Sequence, residues 1–165
     1  MEIEKNFVFD TYDKIAHHFN DTRHYKWKWI SDFVEELNKH ENKTVLDLGC
    51  GNGRNMEYEK LNFIGVDTCE EFVNICLSKN LNCILSDMCS LPFKKDSFDA
   101  ILCIASFHHL ASRERRINSL LEMHRILKPS GKILLSVWSK NQPKKTKRVF
   151  NEYGDNIVKW NKDGK

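Results

Sequence analysis

A chain of 165 residues is long enough for one domain with one core. Its 41% hydrophobic and 30% charged residues are what a soluble globular protein carries. No apolar run approaches the ~20 residues of a membrane span, no signal-peptide pattern opens the chain, and a net charge of +3 is too mild to argue for nucleic acid by itself.

Up to His40 the pattern is helical: Ile30, Phe33, Val34 and Leu37 recur at three and four, one apolar stripe. Residues 44–48 read as a first strand and 62–66 as a second. A helix follows over 70–79, with Phe72, Val73, Cys76 and Leu77 at helical spacing. A short third strand, 83–85, ends at Asp87, and a turn follows from Leu91 to Ser97. The nearly continuous apolar run 98–105 is a fourth strand, of the kind covered on both faces. Over 113–127 a helix places Ile117, Leu120, Leu121 and His124 on one face. Pro129-Ser130-Gly131 breaks the chain before a fifth strand at 132–138. Strands alternating with helices predict a parallel, doubly wound α/β sheet. The six cysteines (Cys50, Cys69, Cys76, Cys83, Cys89, Cys103) form no C-x-x-C pair. They read as small core residues in a reducing compartment, with no metal site expected.

The chemistry concentrates in Val45-Leu46-Asp47-Leu48-Gly49-Cys50-Gly51-Asn52-Gly53, where a buried strand runs into three glycines at alternate positions. Such a turn lets backbone press against a ligand. Asp67 closes the second strand, as the ribose-binding acid of a nucleoside fold would. A dinucleotide fingerprint needs a small residue at its third position, and this chain has Arg54 there. The run instead resembles motif I of the class I S-adenosylmethionine (SAM) methyltransferases. SAM is cationic and carries no phosphate, so Asp47 beside the loop suits it. The expected cofactor contacts are Tyr12, Arg23, Asp47, Gly49, Cys50, Gly51 and Asn52 from the first half of the site. Asp67 and Thr68 serve the ribose, Asp87 and Met88 the adenine, and Ile104 and Ala105 the methionine arm.

The class I resemblance implies seven strands, the last two an antiparallel hairpin, whereas five are legible here. We therefore expect a Rossmann-like, mainly parallel sheet without that C-terminal pair, as in a truncated chain. The expected layout is a helical lid over 1–40, a SAM-binding core over 41–140 and a basic segment over 141–165, all one domain.

A narrower resemblance rests on Tyr12-Asp13-Lys14-Ile15-Ala16-His17-His18-Phe19, Asp21-Thr22-Arg23 with Trp27, and Ile104-Ala105-Ser106-Phe107-His108-His109-Leu110 followed by Ser112-Arg113-Glu114-Arg115-Arg116. Trp138-Ser139-Lys140-Asn141-Gln142 and, more weakly, Val158-Lys159-Trp160 extend it. These segments are similar to signatures of the eukaryotic tRNA wobble-uridine carboxymethyl methyltransferases, which include the methyltransferase domain of an AlkB-homologue enzyme. Relatives tend to carry Ala at Ser139 and Lys at Arg54. The resemblance implies esterification of 5-carboxymethyluridine at the tRNA wobble position. It also implies a small zinc-binding activator subunit as partner and a cytoplasmic, secondarily nuclear, location.

A carboxylate is ionised at neutral pH and attacks a methyl without a general base, so catalysis reduces to alignment. Arg23, His108 and His109 are the candidate catalytic residues: Arg23 to grip the carboxylate, the histidines to position uracil. Substrate contacts are expected from His17, from Trp138 as a stacking ring, and from the basic run Lys144, Lys145, Lys147 and Arg148. Two other readings share the cofactor motifs: a small-molecule SAM methyltransferase acting on a quinone or carboxylate, and a non-catalytic SAM-binding scaffold.

Overall fold

The computed structural model describes residues 2–39, 42–142, 150, 153, 154, 156, 158 and 160. The basic run Lys144, Lys145, Lys147 and Arg148 lies outside the described residues.

Five parallel strands form the described sheet: β1 (Lys43–Leu48), β2 (Leu61–Asp67), β3 (Cys83–Leu85), β4 (Phe98–Ile104) and β5 (Leu127–Ser136). Their order is β3-β2-β1-β4-β5. The winding reverses at β1, so a crevice opens beyond the carboxyl ends of β1 and β4, the place where doubly wound sheets bind ligands. β1 is buried from Val45 to Leu48 and β4 is buried except at Asp99, because both faces of these strands are covered. On one face, Ile30, Val34 and Leu37 of α3 (Lys28–Asn38) and Val73 and Cys76 of α4 (Glu70–Ser78) pack against Val45, Ala100 and Leu102. On the other, Met123 and Ile126 of α5 (Arg113–Ile126) pack against Leu46, Leu48 and Ile101. Each such fully buried side chain contributes about 1.5–3 kcal/mol of transfer free energy.

The chain enters through helical turns that run without a break over residues 2–22: α1 (Glu2–Glu4), a π-helical turn (Lys5–Phe9) and α2 (Asp10–Thr22). Tyr12 and Phe19 of α2 meet Phe72 of α4 edge-on or tilted at 5.9 and 5.1 Å. This seats the segment over the sheet's carboxyl end. At Arg23 the helix stops (φ −122°, ψ 68°), and the chain runs without helix or strand to Trp27 before α3 begins. No glycine or proline marks that bend, and the uninterrupted helical pattern conceals it.

The face expected of α5 is corrected. Ser119, Met123 and Ile126 face the sheet, whereas Ile117, Leu120, Leu121 and His124 are exposed. Polar anchors set the helix's rotation. Arg125 donates to the carbonyls of Leu91 and Phe93 at 3.0 and 2.7 Å, and Glu122 accepts from the Leu91 N–H at 2.7 Å. Because those partners lie on one side, the stripe between them turns inward and the larger aliphatic stripe is left outside.

Candidate functional site

β1 runs out at Leu48, and the Gly49 and Cys50 N–H groups both donate to the Val66 carbonyl, at 2.7 and 3.1 Å. Gly49 and Gly51 adopt φ of 76° and 55°, a region that costs glycine nothing. A Cβ on Gly49 would stand 2.3 Å from the Ser106 Cβ, so only glycine lets the ends of β1 and β4 close up. Ser106 donates its hydroxyl to the Leu48 carbonyl at 2.8 Å. Ala105, beside it, holds φ 52°, a conformation costly for a side-chain-bearing residue and common at binding sites.

Asp67, the last residue of β2, accepts from the Gly51 N–H at 2.8 Å and the Cys69 N–H at 3.0 Å. Burial nevertheless pushes its carboxyl up to about 6. The acid therefore braces the glycine turn and edges a cavity of about 920 Å³ at the sheet's carboxyl end. That volume suits a ligand of nucleoside size or larger. Gly49, Cys50, Gly51, Asn52, Thr68 and Met88 line it, as do Ile104 and Ala105 from β4. Asn52 Nδ2 donates to the Arg23 carbonyl at 3.1 Å and to Asn20 Oδ1 at 3.3 Å, tying the turn to the end of α2. The Oδ1 atoms of Asn52 and Asn55, both buried, have no partner among the described residues.

Two expected cofactor residues sit differently. Asp47 is 1% exposed and does not line the cavity. It falls one residue short of the strand end, so its side chain lies within a packed layer. Neither of its oxygens has a hydrogen bond among the described residues. Burial pushes its carboxyl up to about 7, with Asn55 and Arg54 pulling the other way. Asp87 does line the cavity, but Arg115 holds it, the single Nη2 shared between both carboxylate oxygens at 3.1 and 2.8 Å. Arg115 Nε also donates to Glu4 at 2.8 Å, and the Glu4 carboxylate accepts from the Ala111 N–H at 2.8 Å. Glu4, 1% exposed, thus pins the N-terminal turn to the start of α5.

The expected catalytic residues converge on this cavity: Arg23, His108 and His109 line it together with Tyr12 and Trp138. The Arg23 guanidinium sits over the rings of Phe19 and Trp160, at 5.7 and 4.9 Å, and donates to Thr22 Oγ1 at 3.0 Å. No carboxylate neutralises it among the ion pairs of the described residues. His108 stacks on Trp138 at 5.0 Å. Neither His108 nitrogen has a partner among the described residues, and burial holds its imidazole down to about 3. His109 pairs with the Tyr12 hydroxyl at 3.1 Å, and burial lowers it too. His17 is corrected: its side chain, 79% exposed, turns outward to Glu71 at 3.4 Å and does not line the cavity. His18, half-buried, accepts instead from Trp160 Nε1 at 2.9 Å, and of the two it is Trp160 that lines the cavity. A histidine pair on a helix always places one member about 100° from the other, and adjacency alone does not choose between them.

Cys50, Cys76 and Cys83 bring their sulfurs within 4.8 Å of one another beneath the glycine turn. The three come from a turn, a helix and a strand, so spacing could not reveal the convergence. Phe19, Ser106, Arg115 and Trp160 also line the site; each stands within a signature segment that assigns it no role, whereas Asn55, which lines it too, carries no motif signal.

A family model described as a methyltransferase domain matches residues 46–135. A tRNA (carboxymethyluridine(34)-5-O)-methyltransferase of Schizosaccharomyces pombe is 37% identical over 97% of this chain and 70% of its own length. The chain belongs to the family of tRNA carboxymethyluridine methyltransferases. A relative of the same description from Xenopus tropicalis is 39% identical over 99% of this chain, which spans 24% of that protein. Among solved structures, a complex between the Haloferax volcanii Trm112 methyltransferase activator and a putative methyltransferase is similar. It has a TM-score of 0.58 at 26% identity, covering 76% of this chain and 58% of that one. Within the family fold, the glycine turn and Asp67 occupy the ends of β1 and β2, and the paired histidines follow β4.

Proposed function

We propose that this chain transfers the methyl group of SAM to the carboxylate of 5-carboxymethyluridine at the tRNA wobble position, making the methyl ester. One observation carries the reading: Arg23, a cation without a carboxylate partner among the described residues, and two histidines held neutral share one cavity with the glycine turn and Asp67. When bound, SAM supplies a sulfonium methyl, and the carboxylate oxygen forms the new C–O bond as C–S breaks, leaving a neutral thioether and no proton to move.

The chain's residues fit that cofactor. Asp67, fixed by the Gly51 and Cys69 N–H groups, presents a carboxylate edge to ribose hydroxyls. The orphaned Oδ1 atoms of Asn52 and Asn55 are acceptors at the same wall, suited to an ammonium group. Asp87 braces the adenine end through Arg115, while Met88 lies against the glycine turn. Arg23 is placed to hold the substrate carboxylate bidentately, fixing its direction without removing its charge. His108 and His109 are neutral near pH 7 and offer hydrogen bonds to uracil. Trp138 extends His108's stack toward the opening, where a flipped base would lie.

The same reading gives the chain two partners, tRNA and a small zinc-binding activator subunit. The activator complex of Haloferax volcanii supports the second, and β3 and β5 form the two edges of the described sheet. The location we infer is the cytoplasm, with the nucleus second.

The test is to incubate the chain, with and without an activator subunit, with SAM and tRNA carrying 5-carboxymethyluridine, then analyse nucleosides by mass spectrometry. A methyl ester at the wobble position supports the reading. Ester formation on small free carboxylic acids, with tRNA untouched, would replace it with a small-molecule methyltransferase.

A further inference from the structure

From the end of α2 into the first turn of α3 the sequence runs Arg23-His24-Tyr25-Lys26-Trp27-Lys28-Trp29, cationic and aromatic residues by turns. Three large rings are spent on the surface here: Tyr25 is 87% exposed, Trp27 43% and Trp29 44%. None belongs to a core cluster. Trp27 and Trp29 lie nearly parallel, 12° apart in plane and 5.9 Å between centroids. The Arg54 guanidinium sits over Trp27 at 4.6 Å, and Lys26 over Tyr58 at 4.3 Å. The cavity's wall reaches this surface, because Arg23, Trp27 and Arg54 line it while Tyr25 and Trp29 lie beyond its lining.

Exposed aromatic surface costs free energy unless something covers it. The chemistry of this patch says what does. Parallel rings accept flat π-systems, and the interleaved cations match a polyanion that runs alongside them. Lys28 pairs with Asp32 at 2.6 Å and Lys26 with Glu57 at 3.8 Å. The Lys28–Asp32 pair is solvent-exposed and contributes little, so phosphate can take Lys28 from its carboxylate. A small ligand would be satisfied inside the cavity and has no use for rings outside it.

We propose that the 23–29 bend is a docking surface for single-stranded RNA, on which Tyr25 and Trp29 stack unpaired bases next to the nucleotide entering the cavity. This rests on the tRNA reading and extends it, since it assigns residues to the loop nucleotides that are not modified. Trp27 links the two regions: one side belongs to the cavity wall and the other to the stack with Trp29.

The experiment compares the full chain with Tyr25→Ala, Trp29→Ala and Trp29→Phe variants. Binding of a labelled anticodon stem-loop RNA is followed by fluorescence anisotropy, and SAM affinity serves as the control for folding. Each alanine variant should bind the RNA about tenfold more weakly, with SAM affinity unchanged, and Trp29→Phe should recover most of the loss. RNA affinity equal to wild type in both alanine variants would overturn the docking surface and leave the methyl-transfer reading standing. If the variants lose RNA binding but wild type makes no wobble ester, the surface stands and the proposed reaction falls. A wild-type chain that binds no RNA would overturn both.

Discussion

Arg115 and Asp87 meet through a forked contact, Nη2 to both carboxylate oxygens at 3.1 and 2.8 Å, while Nε of the same guanidinium holds the buried Glu4. One side chain from the start of α5 thereby fixes the loop after β3 and the first turn of the chain, on two sides of one cavity. Removing it strands Glu4, which is 1% exposed. Breaking a buried pair from one side costs about 3–5 kcal/mol. We expect Arg115→Ala to lower the melting temperature by about 10 °C and to weaken SAM binding. Arg115→Lys should recover only part of either, because one ammonium nitrogen cannot hold Asp87 and Glu4 at once as Nη2 and Nε of the guanidinium do. Thermal melts and calorimetric titration give both readouts.

Asp47 supplies a pH signature. Its carboxyl lies near 7 when folded against an ordinary 3.8, so the native state binds more protons than the unfolded chain between these values. Stability then falls as pH rises through that window, and the cost is complete above pH 7. His108, held down to about 3, works against this, losing stability as pH falls below its usual 6.5. The contributions separate by difference. Asp47→Asn should be more stable than wild type at pH 8 and should lose that advantage by pH 4, as denaturant titrations at the two pH values will read. An advantage that persists at pH 4 would mean that the asparagine gains from something other than lost charge.

The sheet and the glycine turn were legible because they depend on local rules: apolar runs of strand length, glycines where φ is positive, acids at strand ends. Asp67 fell where it was expected for that reason. Asp87 was placed correctly along the chain, yet its partner, Arg115, lies 28 residues away and cannot be read from spacing. The outward face of α5 was concealed likewise, since Glu122 and Arg125 choose the rotation through contacts with residues 91–93. His17 and His18 show the same limit at the smallest scale. Adjacent helical residues diverge, and the ring that finds Trp160 is decided by the chain's far end.

Arg23 should separate chemistry from cofactor binding. Its guanidinium rests on Phe19 and Trp160 and donates to Thr22, none of which neutralises it. Losing one partner of a desolvated charge pair costs about 2–5 kcal/mol. Arg23→Ala should therefore lower kcat/KM for tRNA by about a hundredfold and leave SAM affinity within a few-fold of wild type. Arg23→Lys should restore charge but not direction, recovering a minor share. A fully active Arg23→Ala variant would remove this residue from the chemistry.

His108 tests whether positioning alone is enough. Its ring is stacked on Trp138 and burial keeps it uncharged across the physiological range. A nucleophilic carboxylate needs no base, so neither histidine has a proton to take in the transfer step. The single-turnover rate of methyl transfer should accordingly carry no imidazole limb: any change between about pH 6 and pH 8 should come from the raised carboxyls of Asp67 and Asp47 and be the same in wild type and His108→Phe. A limb present in wild type and lost in His108→Phe would show that the imidazole titrates in the working enzyme and acts as acid or base. His108→Phe keeps the stack while deleting both nitrogens, so it should raise KM for tRNA about tenfold and change kcat less, the pattern of a lost binding contact. If kcat collapsed instead with KM unchanged, the imidazole would be acting on the transition state, and alignment by Arg23 would not account for the rate.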